Sequence, residues 1–191
     1  MCDRRHALVV GGTGMLRDVT LDLVRQGFTV SVVARSGSRL ADLSRAAADL
    51  PGRIHPMALD YRDTAALALS LSAAVAEHGP IETAVIWIHS TAPDAPLTVA
   101  RAVGGAGRPC ALFHVLGSAA ADPSRPNPGR RAQFEALSNL RYHEVILGFQ
   151  IGPFGSRWLT DVEISEGVLN AMRSGAVRSI VGVVEPWESR P

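Results

Sequence analysis

The chain has 191 residues, of which 47% are hydrophobic, and its formal net charge is +1. This length is enough to bury a sizeable core without disulfides or a structural metal. The charge balance gives no reason to expect nucleic acid or an anionic membrane as a partner. We therefore predict one domain covering residues 1–191, with a small molecule as its expected partner.

Cysteine usage and the opening residues bear on the compartment. The chain has two cysteines, Cys2 and Cys110, far apart in sequence, so a disulfide is not expected. The first ten residues, MCDRRHALVV, do not read as a signal peptide. No apolar run approaches the roughly 18 residues that cross a bilayer. The sequence predicts a cytoplasmic protein without a membrane segment.

Short β-branched runs alternate with helical patterns along the chain. We predict strands over residues 6–10, 29–35, 54–60, 82–90, 110–118, 142–151 and 179–184. We predict helices from Met15 to Gln26, after a cap at Ser36 or Ser38, from Asp63 to Gly79, and within residues 131–140. Residues 119–131 read as a loop.

Several of these strands are nearly continuous apolar runs, which is typical of strands covered on both faces. Alternation of strands and helices with short loops favours parallel pairing through helical crossovers. The predicted fold is therefore α/β: a Rossmann-like, doubly wound, mostly parallel seven-stranded sheet with helices on both faces.

A glycine-rich turn follows the first predicted strand. In such folds ligands bind beyond the carboxyl ends of the strands, and glycines let backbone amides approach a pyrophosphate. The predicted dinucleotide turn comprises Gly11, Gly12, Thr13, Gly14 and Met15. Arg17 stands where a third glycine is usual. It either contacts a phosphate or pairs on the helix surface with Asp18 or Asp22.

The second predicted strand ends in a basic residue. A carboxylate there would accept hydrogen bonds from an adenosine ribose, whereas arginine suits a 2′-phosphate. Arg35 follows the strand directly, Ser36 adds a hydroxyl, and Arg39 is the alternative cation. This arrangement favours NADP(H) over NAD(H).

The ends of the third and fourth predicted strands supply the remaining cofactor candidates. Asp60 is placed to accept the adenine amino group, and Tyr61 to lie against the adenine ring. His89 and Ser90 follow the fourth strand and are expected near the centre of a bound cofactor.

These residues together resemble the short-chain dehydrogenase/reductase family. The matching features are the GGTG turn, Arg35, Asp60, the HSTA stretch at 89–92 and the serine that closes HVLGS at 114–118. The resemblance implies that Ser118 orients a substrate carbonyl. It also implies that IGPFGSRW, at 151–158, is a loop that flanks the nicotinamide, and that LTDVEISEGVLNAM, at 159–172, is the helix that follows it.

The chain departs from that family at the proton donor. Family members carry a tyrosine and, four positions later, a lysine on a long helix after the fifth strand. Here residues 119–141 contain no tyrosine, the chain contains no lysine, and Tyr142 is followed four positions later by Ile146. The chain thus resembles an atypical, shortened member. Any homo-oligomer is expected by a route other than the family's usual helix interface.

Other side chains at strand ends are the candidate donors. They are His89, Ser118 acting with a water, and Tyr142 if its strand turns it toward the cleft. His89 has the alternative of shaping its loop through hydrogen bonds, and His114 reads as a buried structural residue. Arg157 and Trp158 are placed to clamp an anionic or planar substrate, with a core position as the alternative for Trp158.

Two function classes follow from these residues. One is an NADP(H)-dependent oxidoreductase that reduces a small carbonyl or imine with a non-standard proton donor. The other is a protein that binds NADP(H) as a sensor or scaffold, or uses the cleft for non-redox chemistry. No metal site is predicted, because the six histidines are scattered along the chain and the cysteines are far apart.

Overall fold

The structure is a computed structural model that describes residues 5–122, 124, 127–153 and 155–191. Its strands are β1 (His6–Val10), β2 (Thr29–Ala34), β3 (Arg53–Ala58), β4 (Ile81–Trp87), β5 (Cys110–Leu116), β6 (Leu140–Leu147), β7 (Phe149–Gly152), β8 (Gly155–Trp158) and β9 (Arg178–Val181). Its helices are α1 (Arg17–Arg25), α2 (Gly37–Ala46), α3 (Thr64–His78), α4 (Ala95–Gly104), α5 (Pro128–Glu135) and α6 (Asp161–Ser174). Short 3₁₀ turns cover Ser118–Ala121 and Trp187–Ser189.

Within the described residues, seven strands form one sheet in the order β3-β2-β1-β4-β5-β6-β9. Every neighbouring pair in this sheet is parallel. The order reverses between β1 and β4, so the carboxyl ends of these two strands border the crevice where ligands of doubly wound sheets bind. The predicted fold class is confirmed.

The sheet is covered by helices on both faces, as the apolar strands indicated. Along β1, Ala7 and Val9 belong to the core beneath α1, α2 and α6. Leu8 and Val10 belong to the core beneath α3, α4 and α5. All four residues are fully buried. Both faces of the strand are therefore apolar, and the sequence shows no alternation.

The largest departure from the predicted elements is in the sixth strand. The apolar run at 142–151 is two strands, β6 and β7, separated at Gly148, where a side chain would overlap the Val183 carbonyl group. β7 pairs with β8 in an antiparallel hairpin, where a loop had been expected. Phe154, within the IGPFGSRW stretch, lies outside the described residues.

Other boundaries also differ from the prediction. The fourth and fifth strands end at Trp87 and Leu116, and α1 begins at Arg17 instead of Met15. α4 was not predicted, and α5 begins at Pro128, inside the expected loop, of which Pro123, Arg125 and Pro126 lie outside the described residues.

Two expectations about the compartment concern membrane-spanning segments and the cysteines. Among the described residues, none of the helices combines the length and apolar character needed to span a bilayer. Cys110 is buried in β5, and its burial raises the pKa of the thiol to about 12. Cys2 lies outside the described residues, so the expected lack of a disulfide stays a prediction.

Candidate functional site

A cavity of about 700 Å³ lies at the carboxyl ends of β1 and β2. Its lining includes residues that the sequence predicted to bind a cofactor, the alternative cation Arg39, and Trp87, which was not predicted. The predicted residues in this lining are Gly11, Thr13, Gly14, Met15, Arg35, Ser36 and Tyr61. We call it the nucleotide cavity.

The turn after β1 leaves backbone amides available to an anion. Gly11 has a φ of +85°, a conformation that favours glycine, and its amide donates to the Val33 carbonyl oxygen at 3.0 Å. Side chains cap α2, α3, α5 and α6, but within the described part of the chain none caps α1 at Leu16 or α4 at Asp94. An uncapped helix N-terminus carries free N–H groups and a partial positive charge.

Gly12 has a different role from the one predicted. It is buried and does not line the nucleotide cavity. A methyl group at this position would lie 2.6 Å from Thr20 Oγ1 and 3.0 Å from side-chain carbons of Val9 and Val32. Gly12 therefore lets α1 pack closely on the sheet, which is the role usually played by the third glycine that this turn lacks.

The far end of the nucleotide cavity is basic. Arg35 follows β2 directly, and Arg39 lies in the first turn of α2; both side chains are exposed. Ser36 caps α2, with its Oγ accepting from the Arg39 amide at 3.3 Å, which decides between the two predicted caps. No carboxylate lines this cavity among the described residues. The local charge is suited to a phosphate.

Asp60 and Tyr61 lie at the end of β3 with different surroundings. The Asp60 carboxylate accepts from Arg62 Nε at 2.9 Å and from the Arg62 amide at 3.0 Å. These bonds hold the pKa of Asp60 below its usual value. Asp60 is absent from the described lining of the nucleotide cavity. Its carboxylate, predicted to accept a hydrogen bond from the adenine amino group, accepts hydrogen bonds from Arg62 instead. The Tyr61 hydroxyl accepts from the His89 amide at 3.3 Å and links β3 to the loop after β4.

Trp87, the last residue of β4, borders the nucleotide cavity and two others. An apolar cavity of about 310 Å³ shares Met15 and Trp87 with the nucleotide cavity. Its other lining residues are Gly117, Ser118, Leu147, Gly148, Trp158, Leu159 and Ile164. A third cavity, of about 530 Å³, also includes Trp87.

The indole of Trp87 lies across the edge of the sheet. A methyl group at Gly11 would be 3.6 Å from Trp87 Cδ1, and one at Gly117 would be 3.9 Å from Trp87 Cη2. The ring therefore extends from the end of β1 to the end of β5. No role was predicted for it, because a tryptophan in an apolar strand reads as core.

The predicted donors His89 and Ser118 line different cavities. Ser118 is buried, begins a 3₁₀ turn after β5 and faces the apolar cavity. His89 is exposed and lines the third cavity, as does Ser90. The Thr91 amide lies 3.3 Å from His89 Nδ1, which as acceptor leaves the ring proton of the neutral form on Nε2. His89 and Ser90 are therefore absent from the described lining of the nucleotide cavity, and their contact with a cofactor stays a prediction.

Tyr142 does not reach the carboxyl edge of the sheet. It is the third residue of β6 and is 5% exposed. Its ring stacks on Phe134 with centroids 4.3 Å apart, and its hydroxyl lies 3.0 Å from His114 Nδ1. Burial raises the pKa of Tyr142 far above its usual value. The register of β6 therefore does not turn Tyr142 toward the cleft, and its candidacy as a donor is not supported.

His114 combines burial with a position beside a cavity. It is 4% exposed, in agreement with the expected buried residue, yet it helps line the third cavity together with Arg130 and Asn127. Burial, and then the nearby Arg130, lower the pKa of His114 to about 3. The ring is therefore neutral at physiological pH.

Arg157 and Trp158 do not form the expected clamp. The Arg157 guanidinium donates two hydrogen bonds of 2.8 Å to the Glu163 carboxylate, which neutralises its charge on the protein itself. Trp158 is 47% exposed, not core, and borders the apolar cavity. Arg190 lies over its ring, with the guanidinium carbon 5.4 Å from the centroid. Only the aromatic half of the predicted clamp faces a cavity.

The fold resembles that of known oxidoreductase structures. A short-chain type dehydrogenase/reductase from Mycobacterium marinum superposes with a TM-score of 0.72 at 16% identity, covering 95% of each chain. A single-substitution variant of actinorhodin polyketide ketoreductase with NADPH gives 0.69 at 15% identity, covering 95% of this chain and 97% of that one. A metagenomic short-chain oxidoreductase in complex with NADP gives 0.61 at 18% identity, covering 94% and 96%.

At these identities the likeness establishes the fold alone. No protein-family model matches the sequence, and neither does any curated protein.

Proposed function

We propose that the chain is an NADP(H)-dependent oxidoreductase of the short-chain dehydrogenase/reductase type, reducing a small carbonyl or imine substrate. The observation that carries the proposal is the nucleotide cavity, which joins the uncapped start of α1 to Arg35 and Arg39. Two of the structural neighbours are complexes with NADPH and NADP, which supports the same choice of cofactor.

The two ends of the nucleotide cavity suit the two phosphate groups of this cofactor. The amides around Thr13 and Met15 suit the pyrophosphate, because N–H groups at a helix N-terminus stabilise negative charge there. The guanidinium of Arg35 or Arg39 suits the 2′-phosphate. The described lining offers no carboxylate for an unmodified ribose, so NADP(H) is favoured over NAD(H).

The apolar cavity suits a nicotinamide ring. It adjoins the nucleotide cavity at Met15 and Trp87, and its walls include Leu147, Leu159 and Ile164. The cofactor, when bound, supplies the hydride; the protein positions the two reactants and excludes water. Ser118 gives this apolar space a hydroxyl that can orient a carbonyl oxygen.

Proton delivery is the least conventional part of the proposal. Tyr142 is buried away from the edge, and the chain has no lysine. The remaining donors are Ser118 acting with a water, and His89, which would donate a proton from Nε2 as the imidazolium and return to the neutral ring. His89 approaches from the far side of Trp87, so it reaches a substrate that extends between the apolar and third cavities.

The same separation favours the alternative that the protein binds NADP(H) without transferring hydride. His89 and Ser118 do not share a cavity, and Trp87 lies between the two cavities that they line. A protein of this kind would serve as a sensor or scaffold, or use the cleft for non-redox chemistry.

Two measurements test the proposal and separate the alternatives. Titration calorimetry should show NADPH binding at one site per chain, more tightly than NADH. NADPH oxidation should then be followed over a panel of small carbonyls and imines. Turnover supports the oxidoreductase; binding without turnover across the panel favours the sensor. Absence of NADPH binding would refute both.

A further inference from the structure

We propose that His55, Glu77 and His78 form a binding site for a divalent transition-metal ion, with Zn²⁺ as the best match. The histidines are scattered in sequence, which is why no metal site was predicted. The fold brings two of them together beside a carboxylate.

The three residues meet at the amino end of the sheet. His55 lies in β3 and pairs in register with Ser31 of β2. Glu77 and His78 are the last two residues of α3, the helix that leads into the start of β4. The proposed site is thus at the opposite end of the sheet from Trp87 and the nucleotide cavity, and it does not depend on the proposed function.

The donor atoms converge as metal ligands do. One ligand atom from each residue lies within 4.8 Å of the others. His55 Nδ1 and His78 Nε2 face one another directly, and His78 Nε2 lies 3.6 Å from Glu77 Oε1. Two imidazoles and a carboxylate suit Zn²⁺ and its neighbours, whereas Mg²⁺ and Ca²⁺ prefer all-oxygen sites.

The surroundings fit a site with three protein ligands and solvent. The His78 side chain is 6% exposed and Glu77 is 68% exposed, so the donors have a buried side and an open side. His6 packs edge-on against His78 with ring centroids 5.5 Å apart. Its nitrogens lie 2.7 Å from the Gly79 carbonyl oxygen and 2.9 Å from Ser31 Oγ. Both ring nitrogens of His6 therefore have protein partners, and His6 borders the site without being a ligand. Water completes the coordination of the metal ion.

Arg53 is the group that opposes a cation here. Its Nη2 lies 3.5 Å from His78 Nδ1. A hydrogen bond donated by Arg53 to Nδ1 leaves the proton of the neutral His78 ring on Nε2. Metal binding through Nε2 therefore requires Arg53 to move away and the ring proton to shift to Nδ1. Since Arg53 is exposed, it can turn into solvent. Its removal should therefore strengthen metal binding.

Metal binding at this position would affect stability. In the described sheet, β3 is the edge strand, and the three ligands join it to the end of α3. An ion that binds only the folded chain stabilises it in proportion to the logarithm of its free concentration. The thermal midpoint should then rise with Zn²⁺ and fall again with a chelator.

Calorimetric titration of the chelator-treated full chain with Zn²⁺ alone provides the test. We expect one ion per chain, with binding weakened about tenfold or more in His55→Gln and in Glu77→Gln. Glu77 is exposed, so its variant keeps the fold even if the histidine variant does not. Matched controls outside the cluster are His143→Gln and Glu166→Gln, which should bind as the wild type does.

Arg53→Gln supplies a test in the opposite direction, because it should bind Zn²⁺ more tightly than the wild type. Stoichiometric binding that Glu77→Gln weakens and the controls leave unchanged supports the site. The proposal is overturned if the folded wild type takes up no Zn²⁺, or if Glu77→Gln binds Zn²⁺ with wild-type affinity.

Discussion

The Ser165 hydroxyl donates a hydrogen bond of 2.7 Å to the carbonyl oxygen of Met15. Ser165 is buried on α6, and Met15 lies in the turn between β1 and α1. The glycine-rich turn near the start of the chain is therefore held by a helix near its end. The bond directs the Met15 carbonyl toward α6, and Met15 borders both the nucleotide and apolar cavities.

Ser165→Ala should weaken NADPH binding by loosening this turn. Loss of one hydrogen bond typically costs about 1 kcal/mol, which corresponds to about a fivefold change in affinity. Calorimetry measures the effect. Ser174→Ala is the matched control, because the Ser174 hydroxyl bonds to Ala171 within the same helix. Equal affinities for the Ser165 and Ser174 variants would show that the bond does not position the turn.

Gly12→Ala should destabilise the fold, whereas Gly14→Ala should not. A methyl group at Gly12 meets Thr20 and two core valines, while nothing among the described residues lies within 4 Å of one at Gly14. Overpacking a core typically costs about 1–3 kcal/mol. Urea unfolding of the two variants measures the difference. A Gly12→Ala protein as stable as the wild type would contradict close packing at this position.

Arg35→Ala should weaken NADPH binding far more than NADH binding. A hydrogen bond to a charged group contributes about 1.5–3 kcal/mol, or about tenfold to a hundredfold in affinity. Arg45→Ala, at the other end of α2 and paired with Asp42, is the control. Equal losses for the two cofactors would contradict the contact between Arg35 and the 2′-phosphate and would point to Arg39 or Arg17.

Ser118→Ala and His89→Ala should each lower turnover with little change in NADPH affinity. A general acid usually contributes about 10²–10⁴-fold. Steady-state kinetics on a substrate found in the panel measures both variants. Thr91→Ala keeps the backbone amide next to His89 Nδ1 and should behave as the wild type. Near-wild-type turnover in both test variants would leave bound water as the donor.

Acid should destabilise the protein, and His114 should account for part of the effect. Its pKa is about 3 in the folded chain, against an ordinary value of 6.5. Between these values the unfolded chain holds a proton at this position that the folded chain lacks. The free energy of unfolding therefore falls as pH falls from about 6.5 toward 3, by up to about 1.4 kcal/mol per pH unit for one proton.

The groups that face His114 are the Tyr142 hydroxyl and Arg130, with the Phe134 ring against its edge. His114→Asn should flatten the pH dependence over this window, as measured by urea unfolding at several pH values. His143→Asn is the control. Burial also lowers the pKa values of His6 and His55, so some slope should remain in the variant. An unchanged slope in His114→Asn would contradict the buried, neutral ring.

Much of the fold could be predicted because β1 and its neighbours are buried on both faces. The ends of these strands could not be predicted, because an apolar run indicates that residues are buried and does not indicate where backbone pairing stops. Ile88 is 8% exposed although β4 ends at Trp87. For the same reason the apolar run through Gly148 concealed the change from β6 to β7.

The candidate site was predictable where its residues adjoin a strand end, as in the glycine turn and Arg35. Ser165 could not be found this way, because its partner lies 150 positions away. Tyr142 could have been excluded as a donor from the sequence, because it begins its predicted strand and therefore lies far from the carboxyl edge that binds ligands. The proximity of His55 and His78 could not be predicted, because it depends on how β3 and α3 lie relative to each other, and the hydrophobic pattern of the sequence does not contain that information.

Trp87 is placed to act as an intrinsic fluorescent probe of ligand binding. Its indole borders the nucleotide cavity, the apolar cavity and the third cavity, so a ligand that enters any of them changes the surroundings of the same chromophore. Intrinsic fluorescence should therefore report occupancy without a label. Since Trp158 and Trp187 also emit, comparison with Trp87→Phe isolates the signal that arises between β1 and β5.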